Sequence, residues 1–398
     1  MIAVLLPAVP DPEHANALTR PRYEYFYDTY GRLETIRDPK GRETQFTYDQ
    51  FGRQLTRQLP MGQTESQAYN TLGQLEYKLD FKTQVTSFIY DTLGRVSEKR
   101  LYPSGTALPP AVAPAETVAF TYDDLGRQDT ITDIHGVTQF GYDQDGRVIQ
   151  VTSPEGTINF AYDPVTGRKT RTSTANSDIR YGYDELGRLA TVSVHKQQGI
   201  VLTQPEVTTY AYTEVGSRES MVLPNGVTTL YEYDNLNRLT NLSHFNSTNQ
   251  LLAGHAYTLA PTGRRTGVNE RIRQADAVLA ERNIAYTYDA LNRLTQEDAR
   301  FVVPPSGGLG LEQEFTASYT YDLVGNRLRK ATTRNHSGLP ETITYTHNAN
   351  DQLLTETSSA SNRLLTTYAY DPNGSLIAKH NDTSGEHVTY TYLSLIHI

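Results

Sequence analysis

The sequence has no cysteine, no tryptophan and only three methionines, and no apolar run reaches the length of a membrane helix. Without cysteine there is no disulfide framework, no thiolate metal site and no cysteine nucleophile. A spanning helix needs roughly 20 consecutive apolar residues, so no membrane span is expected. The apolar opening, residues 1–10 (MIAVLLPAVP), lacks a cationic start, is broken by Pro7, and runs into Pro10, Asp11 and Pro12. It reads as an internal start or linker rather than a signal peptide. Basic blocks are also missing: 36 Lys and Arg are interspersed among 45 Asp and Glu for a net charge of -9, which denies a nucleic acid the electrostatic footprint it needs. Helical periodicity is scarce, and no glycine loop opens a helix to cradle a phosphate.

In their place stand 28 Tyr, 28 Gly and 19 Pro in 398 residues, a mixture of strand and turn formers too long for one ordinary core. A chain of that kind calls for a repeat architecture. The repeat is Tyr-Asp-x-x-Gly-Arg-Leu. It is nearly intact at Tyr27-Asp28 with Gly31-Arg32, Tyr48-Asp49 with Gly52-Arg53, Tyr90-Asp91 with Gly94-Arg95 and Tyr122-Asp123 with Gly126-Arg127, and continues at Tyr142, Tyr162 and Tyr183. Degenerate copies follow the frame at Tyr69, Tyr212, Tyr233, Tyr257 (with Gly263), Tyr288, Tyr321, His347 and Tyr370, and a cut-off copy at Tyr392 completes sixteen. Seven of the fifteen spacings are 20 or 21 residues and the rest are longer, as a fixed unit with insertions requires.

Asp at the first and Gly at the fourth position of Asp-x-x-Gly suit a type I turn closing on a left-handed residue. Asn takes the Gly position at Asn237 and Asn292, being the next residue to tolerate that conformation. A second turn precedes many Tyr-Asp pairs, as in Asp38-Pro39-Lys40-Gly41, Leu59-Pro60-Met61-Gly62, Ser153-Pro154-Glu155-Gly156 and Leu223-Pro224-Asn225-Gly226. Between the turns, runs such as RETQFTY (42–48) and TINFAY (157–162) alternate with period two, so each repeat is expected to be two short antiparallel strands. The residue two before the motif Tyr is aromatic in fourteen of sixteen repeats, Gln67 and His255 being the exceptions. That offset puts both rings on one strand face, where stacked repeats would align them into packing ladders. The Arg after the turn Gly is expected to pair with the Asp of its own or an adjacent turn. Insertions at 103–116, 193–207, 244–254, 266–284 and 301–314 read mostly as loops, with a short helix at 275–282 (ADAVLAER).

No residue is assigned a catalytic, cofactor-binding or metal role. The pairs His244 with His255 and His380 with His387 lack the spacing and company of a zinc site. Asp143-Gln144-Asp145-Gly146 has a fragment of a calcium loop without its remaining oxygen ligands, and reads as the Tyr142 turn with an extra carboxylate.

The run of YDxLGR and YDxxNRL repeats, with the closing series at 321–328 (YDLVGNRL) and 370–376 (YDPNGSL), resembles the Rhs/YD-repeat proteins over about residues 23–392. The family includes bacterial Rhs polymorphic toxins, wall-associated relatives, the C component of insecticidal toxin complexes and the animal teneurins. The resemblance implies an all-β fold, a spiralling antiparallel ribbon that is part of a hollow β-shell. In the toxin members it implies an encapsulated C-terminal effector or toxin domain of the same polypeptide, freed by an aspartyl self-cleavage segment. Neither that segment nor the effector is recognisable here: Asp38-Pro39-Lys40-Gly41 and Asp371-Pro372-Asn373-Gly374 each occupy a turn slot of the repeat. The expected organisation is an irregular segment at 1–22, the YD-repeat region at 23–392, and adapter-derived residues at 393–398. The last six, LSLIHI, break the frame after Tyr392 and match the translated transposon end of sequencing adapters, CTG TCT CTT ATA CAC ATC. Three functional readings stand: a secreted or surface scaffold that encloses a toxin domain and meets a secretion-system or cell-surface partner, a cell-surface module whose exposed tyrosines bind carbohydrate or protein, and an enzyme whose catalytic domain lies outside this sequence.

Overall fold

The structure is a computed structural model that describes residues 1–274, 279–304, 314–334, 339–359, 363–382 and 384–392. It is all-β. Among the described residues thirty-two strands join one antiparallel sheet, and a further hairpin pairs Val9–Asp11 with Ala17–Thr19. A single 3-10 turn, Pro12–His14, is the only helical element among the described residues. Residues 1–22, expected to be irregular, contribute this hairpin and the strand Ile2–Leu5, which pairs with Arg22–Tyr27. Otherwise each strand pairs with its neighbours in sequence, because every repeat ends in a turn that sends the chain back along itself.

The chain divides into two compact units. The first comprises Met1–Val118, Tyr286–Asp298 and Phe315–Ile398; the second comprises Ala119–Ala285 and Ala299–Glu314. Strands in both are short, as in Glu43–Tyr48 with Gln54–Gln58 and Gly136–Tyr142 with Val148–Ser153. Side chains along them are mostly half-buried; in Leu189–Gln197 only the last residue is exposed. Neighbouring strands of one sheet provide most of that cover, so cross-strand pairs stand where a layered protein would have a deep core.

Most insertions lengthen hairpins instead of forming loops. Residues 193–207 continue the strands Leu189–Gln197 and Ile200–Tyr212 to a tight turn with left-handed Gln198 and Gly199. Residues 244–254 likewise extend Leu239–Phe245 and Leu251–Leu259. The helix expected at 275–282 is replaced, over its described part, by the strand Leu279–Tyr288, in register with Arg265–Arg273 through Arg273↔Leu279 and Glu270↔Arg282. A ladder partner and the 2.6 Å Arg282–Glu270 ion pair outweigh the modest helix preference of ALAER-like sequence; residues 275–278 lie outside the described residues. The stretch 103–116 is a loop up to the strand Glu116–Tyr122, as expected.

Candidate functional site

The repeated Tyr-Asp turn is the unit from which the ribbon is assembled. At Asp28 the backbone closes with Gly31 N–H to Asp28 carbonyl at 3.0 Å and Asp28 N–H to Arg32 carbonyl at 2.9 Å. Gly31 is left-handed at φ +80°, and the strand register slips by one between Phe26 and Tyr27. This is a type I turn followed by a bulge, a hairpin connection suited to strand twist. The left-handed slot also admits Asn237, Asn292, Thr83, Asn249 and Asp351. The Asp28 carboxylate organises the turn: Oδ1 accepts the N–H of Tyr30 and of Arg32, both at 2.9 Å, and Oδ2 accepts Arg32 Nε at 2.6 Å. The Arg therefore pairs with the Asp of its own turn. The same triplet recurs at Asp49, Asp91, Asp123, Asp143 and Asp234.

Arg and Tyr then tie one repeat to the next. In the first compact unit Tyr48, Tyr69, Tyr90, Tyr321 and Tyr392 donate their hydroxyls, at 2.7–3.0 Å, to the carbonyls of Leu33, Gln54, Leu75, Leu294 and Leu376. In the second, Tyr142, Tyr162, Tyr183, Tyr212 and Tyr233 do the same to Gln128, Val148, Lys169, Leu189 and Arg218, at 2.7–2.9 Å. Each acceptor lies just after the Arg slot of the preceding repeat. That repeat's Arg often covers the donor's ring: Arg53 sits 4.5 Å from the centroid of Tyr69, Arg127 4.4 Å from Tyr142 and Arg188 4.8 Å from Tyr212. Arg32 and Arg188 reach further, each donating Nη1 to the carbonyl at the Asp slot of the next turn. Burial raises the pKa of Tyr48, Tyr90 and Tyr142, keeping the phenols neutral donors. Tyr319 and Tyr368 are pushed up to about 12, by burial first and by Glu297 and Glu356 second. The opposite strand face carries threonine pairs, Thr47 with Thr56 at 2.6 Å and Thr121 with Thr130 at 2.7 Å.

One frame is corrected. The turn near Tyr257 closes between Ala260 and Gly263 at 2.9 Å, and the bulge lies between Thr258 and Leu259. Leu259 thus fills the Tyr slot, and Tyr257 is the ring two residues before it, leaving His255 outside that position.

Within the first compact unit, late Tyr-Asp turns meet the return turns of early repeats. Lys40 Nζ lies 3.3 Å from Asp322 Oδ2, Arg42 Nη2 2.9 Å from Asp351 Oδ1, and Lys82 Nζ 2.6 Å from Asp371 Oδ2. Asn350 accepts the Met61 N–H at 3.3 Å and donates to Gln63 at 3.1 Å, while Asn373 donates to Asp80 at 2.7 Å. A cleft of about 370 Å³ lined by Asp38, Arg42, Pro60, Asn350, Asp351 and Asn373 runs along this seam. Sequence reading missed the seam, because its partners are some 280 to 310 residues apart.

The histidine pairs lie on strands. His244 bonds Thr229 at 3.0 Å and His255 stacks near Tyr257, while His380 and His387 are cross-strand neighbours with His380 3.1 Å from Asp382. Arg147 holds both Asp143 and Asp145 at 2.7 Å. No group of three or more potential metal ligands occurs among the described residues.

The RHS repeat family matches residues 27–64, and the teneurin YD-shell family matches residues 115–297, the stretches in which these turns recur. The chain belongs to the Rhs/YD-repeat family. No curated protein matches it. Among solved structures, this Rhs/YD-repeat chain resembles TcdB2-TccC3-TEV at 16% identity and a TM-score of 0.71, over 94% of this chain and 21% of that one. TcdB2-TccC3 without its hypervariable C-terminal region gives 15% and 0.69, over 94% and 23%. The Photorhabdus luminescens Tc holotoxin pore gives 14% and 0.50, over 90% and 22%. At these identities the likeness is one of fold, and the chain spans about a fifth of each of these three chains.

Proposed function

We propose that this Rhs/YD-repeat chain is a wall segment of a secreted or cell-surface shell that houses a C-terminal toxin or effector domain of the same polypeptide. The observation that carries this reading is the seam: the ribbon comes back to its own early turns and fastens there, as a wall built from one strip requires. Residues 23–392 are the wall, 1–22 lead into it, and 393–398 are adapter-derived. The fold likeness to Tc toxin chains about five times longer supports the reading. The test is to recover the locus beyond Tyr392, express the whole product and treat it with protease. A divergent terminal domain that resists digestion until the seam is mutated is the expected result. A terminal domain digested as fast as free protein, or a stop codon directly after the repeats, would sink it.

A second reading, a surface module that binds carbohydrate, is favoured by Tyr30 and Phe51, which stand 83% and 74% exposed at turn tips. The motif tyrosines favour the first, since their hydroxyls and ring faces are engaged by the ribbon itself. Glycan binding lost in Tyr30→Ser/Phe51→Ser would turn the choice to the second.

A further inference from the structure

The seam turns differ from the rest in one way that their residues make visible. Turns at Asp28, Asp49, Asp91, Asp123, Asp143, Asp184, Asp234 and Asp289 each carry an Arg that pairs with the turn's own carboxylate. Where the Arg is lost at Gln74 and Ser217, the acid is lost with it, to Asn70 and Thr213. The three seam turns break this rule. Asp322 has Asn326 in the Arg slot and Asp371 has Ser375. The third has Asn348 in the Asp slot and Gln352 in the Arg slot, with a carboxylate displaced to Asp351 in the left-handed position. Each keeps an acid and has no arginine of its own, and each acid meets a cation from the return-turn edge: Lys40, Arg42 and Lys82 in turn. The Asp322 and Asp371 side chains are 1% and 9% exposed, against 15–26% for seven of the self-paired aspartates.

We infer that Lys40, Arg42 and Lys82 are register-determining residues: they select which Tyr-Asp turns seat on the return turns of residues 38–84 by completing acids that lack an arginine in cis. A buried carboxylate without its cation is costly, so a slip of one repeat along the edge would leave Asp322 and Asp371 without theirs at once, whereas Asp351, 46% exposed, would lose less. A self-paired turn gains little from the same cations, because its acid is already satisfied. The kind of partner this edge fits is therefore an arginine-less acidic turn, and the rule can be read in sequence as a turn acid with no Arg directly after the left-handed turn residue, a position that Arg168 still fills in the longer turn at Asp163. The inference does not depend on a cargo, so the encapsulation reading can fail while this one stands.

The absence of native cysteine allows a direct test in the full chain. Met61→Cys and Asn350→Cys, placed at the seam, would be joined by a flexible bis-maleimide, and the cross-link yield would report seating. Lys40→Glu/Lys82→Glu should lower the yield about tenfold, and adding Asp322→Lys/Asp371→Lys should restore it. Separately, Asn326→Arg/Ser375→Arg converts the seam turns to the self-paired kind and should also lower the yield while leaving the β-sheet circular dichroism intact. An unchanged yield in either the glutamate pair or the arginine pair overturns the inference, as does a charge exchange that fails to restore cross-linking.

Discussion

Tyr142 donates its hydroxyl to the Gln128 carbonyl at 2.7 Å beneath the guanidinium of Arg127, so its ring packs one repeat and its oxygen anchors to the one before. Tyr142→Phe keeps the ring and strands the carbonyl; a loss of about 1 kcal/mol is expected in chemical unfolding. The turn-tip change Leu125→Ser, at a side chain already in solvent, should stay within about 0.5 kcal/mol. A methyl group added at Gly31 would meet open space, so the constraint there is the left-handed backbone alone. Gly31→Ala should therefore cost about 1 kcal/mol and Gly31→Asn less, as Asn237 and Asn292 already show in that slot. The turn acids add a pH dependence. Partial desolvation pushes Asp28, Asp49, Asp123 and Asp143 upward, but the backbone N–H groups and the Arg outweigh it, and each ends below its ordinary 3.8. A carboxyl depressed on folding stabilises above its unfolded pKa and loses that contribution as pH falls through the folded value. The contribution of these carboxylates should thus be constant from neutral pH to about 4 and drop below it, so that thermal midpoints below pH 4 fall more steeply in the parent than in Asp123→Asn.

At the level of strands and turns, the period-two runs and the Asp-x-x-Gly signals were legible because both are local: φ, ψ and the nearest side chains decide them. The hairpin extensions were not, since residues 279–282 (LAER) are helix formers that a partner strand draws into the sheet. The Tyr257 frame was misread because a Tyr two residues early imitates the motif when Leu259 has taken its slot. His347 is the substitution of most consequence, standing in a Tyr slot beside the seam with Nδ1 buried and unpaired. Burial lowers its pKa from the ordinary 6.5, with Lys40 and Arg327 in the same sense and Asp322 and Asp351 opposing. A histidine depressed on folding favours the neutral form, so it costs stability as pH falls below the unfolded value near 6.5. His347→Tyr should remove that component, seen as a flatter thermal midpoint between pH 7 and 5; an identical profile in both proteins would rule it out.

At the scale of the whole molecule, each compact unit exposes apolar turn tips of its own. Leu72, Leu93, Leu125, Val165, Leu186, Val215 and Leu236 are 70–91% exposed, whereas Leu291 and Val324 in the same position of later turns are half-buried. Scattered apolar side chains need no explanation, but a periodic row of them favours association. Replacing Leu72, Leu93, Leu125 and Leu186 by Ser should raise the concentration at which light scattering sets in and shift unfolding little.

The repeat, its all-β class and the chemistry of each turn follow from the order of amino acids alone, because a Tyr-Asp-x-x-Gly-Arg unit makes its bonds within itself and to the adjoining repeat. The arginine-less turns at Asp322, Asn348 and Asp371 are written there too. Their use came to light only with the folded ribbon: an acid whose counter-charge lies some 290 residues away has no local mark beyond the missing arginine, and the return of the chain to its early turns supplies the cation.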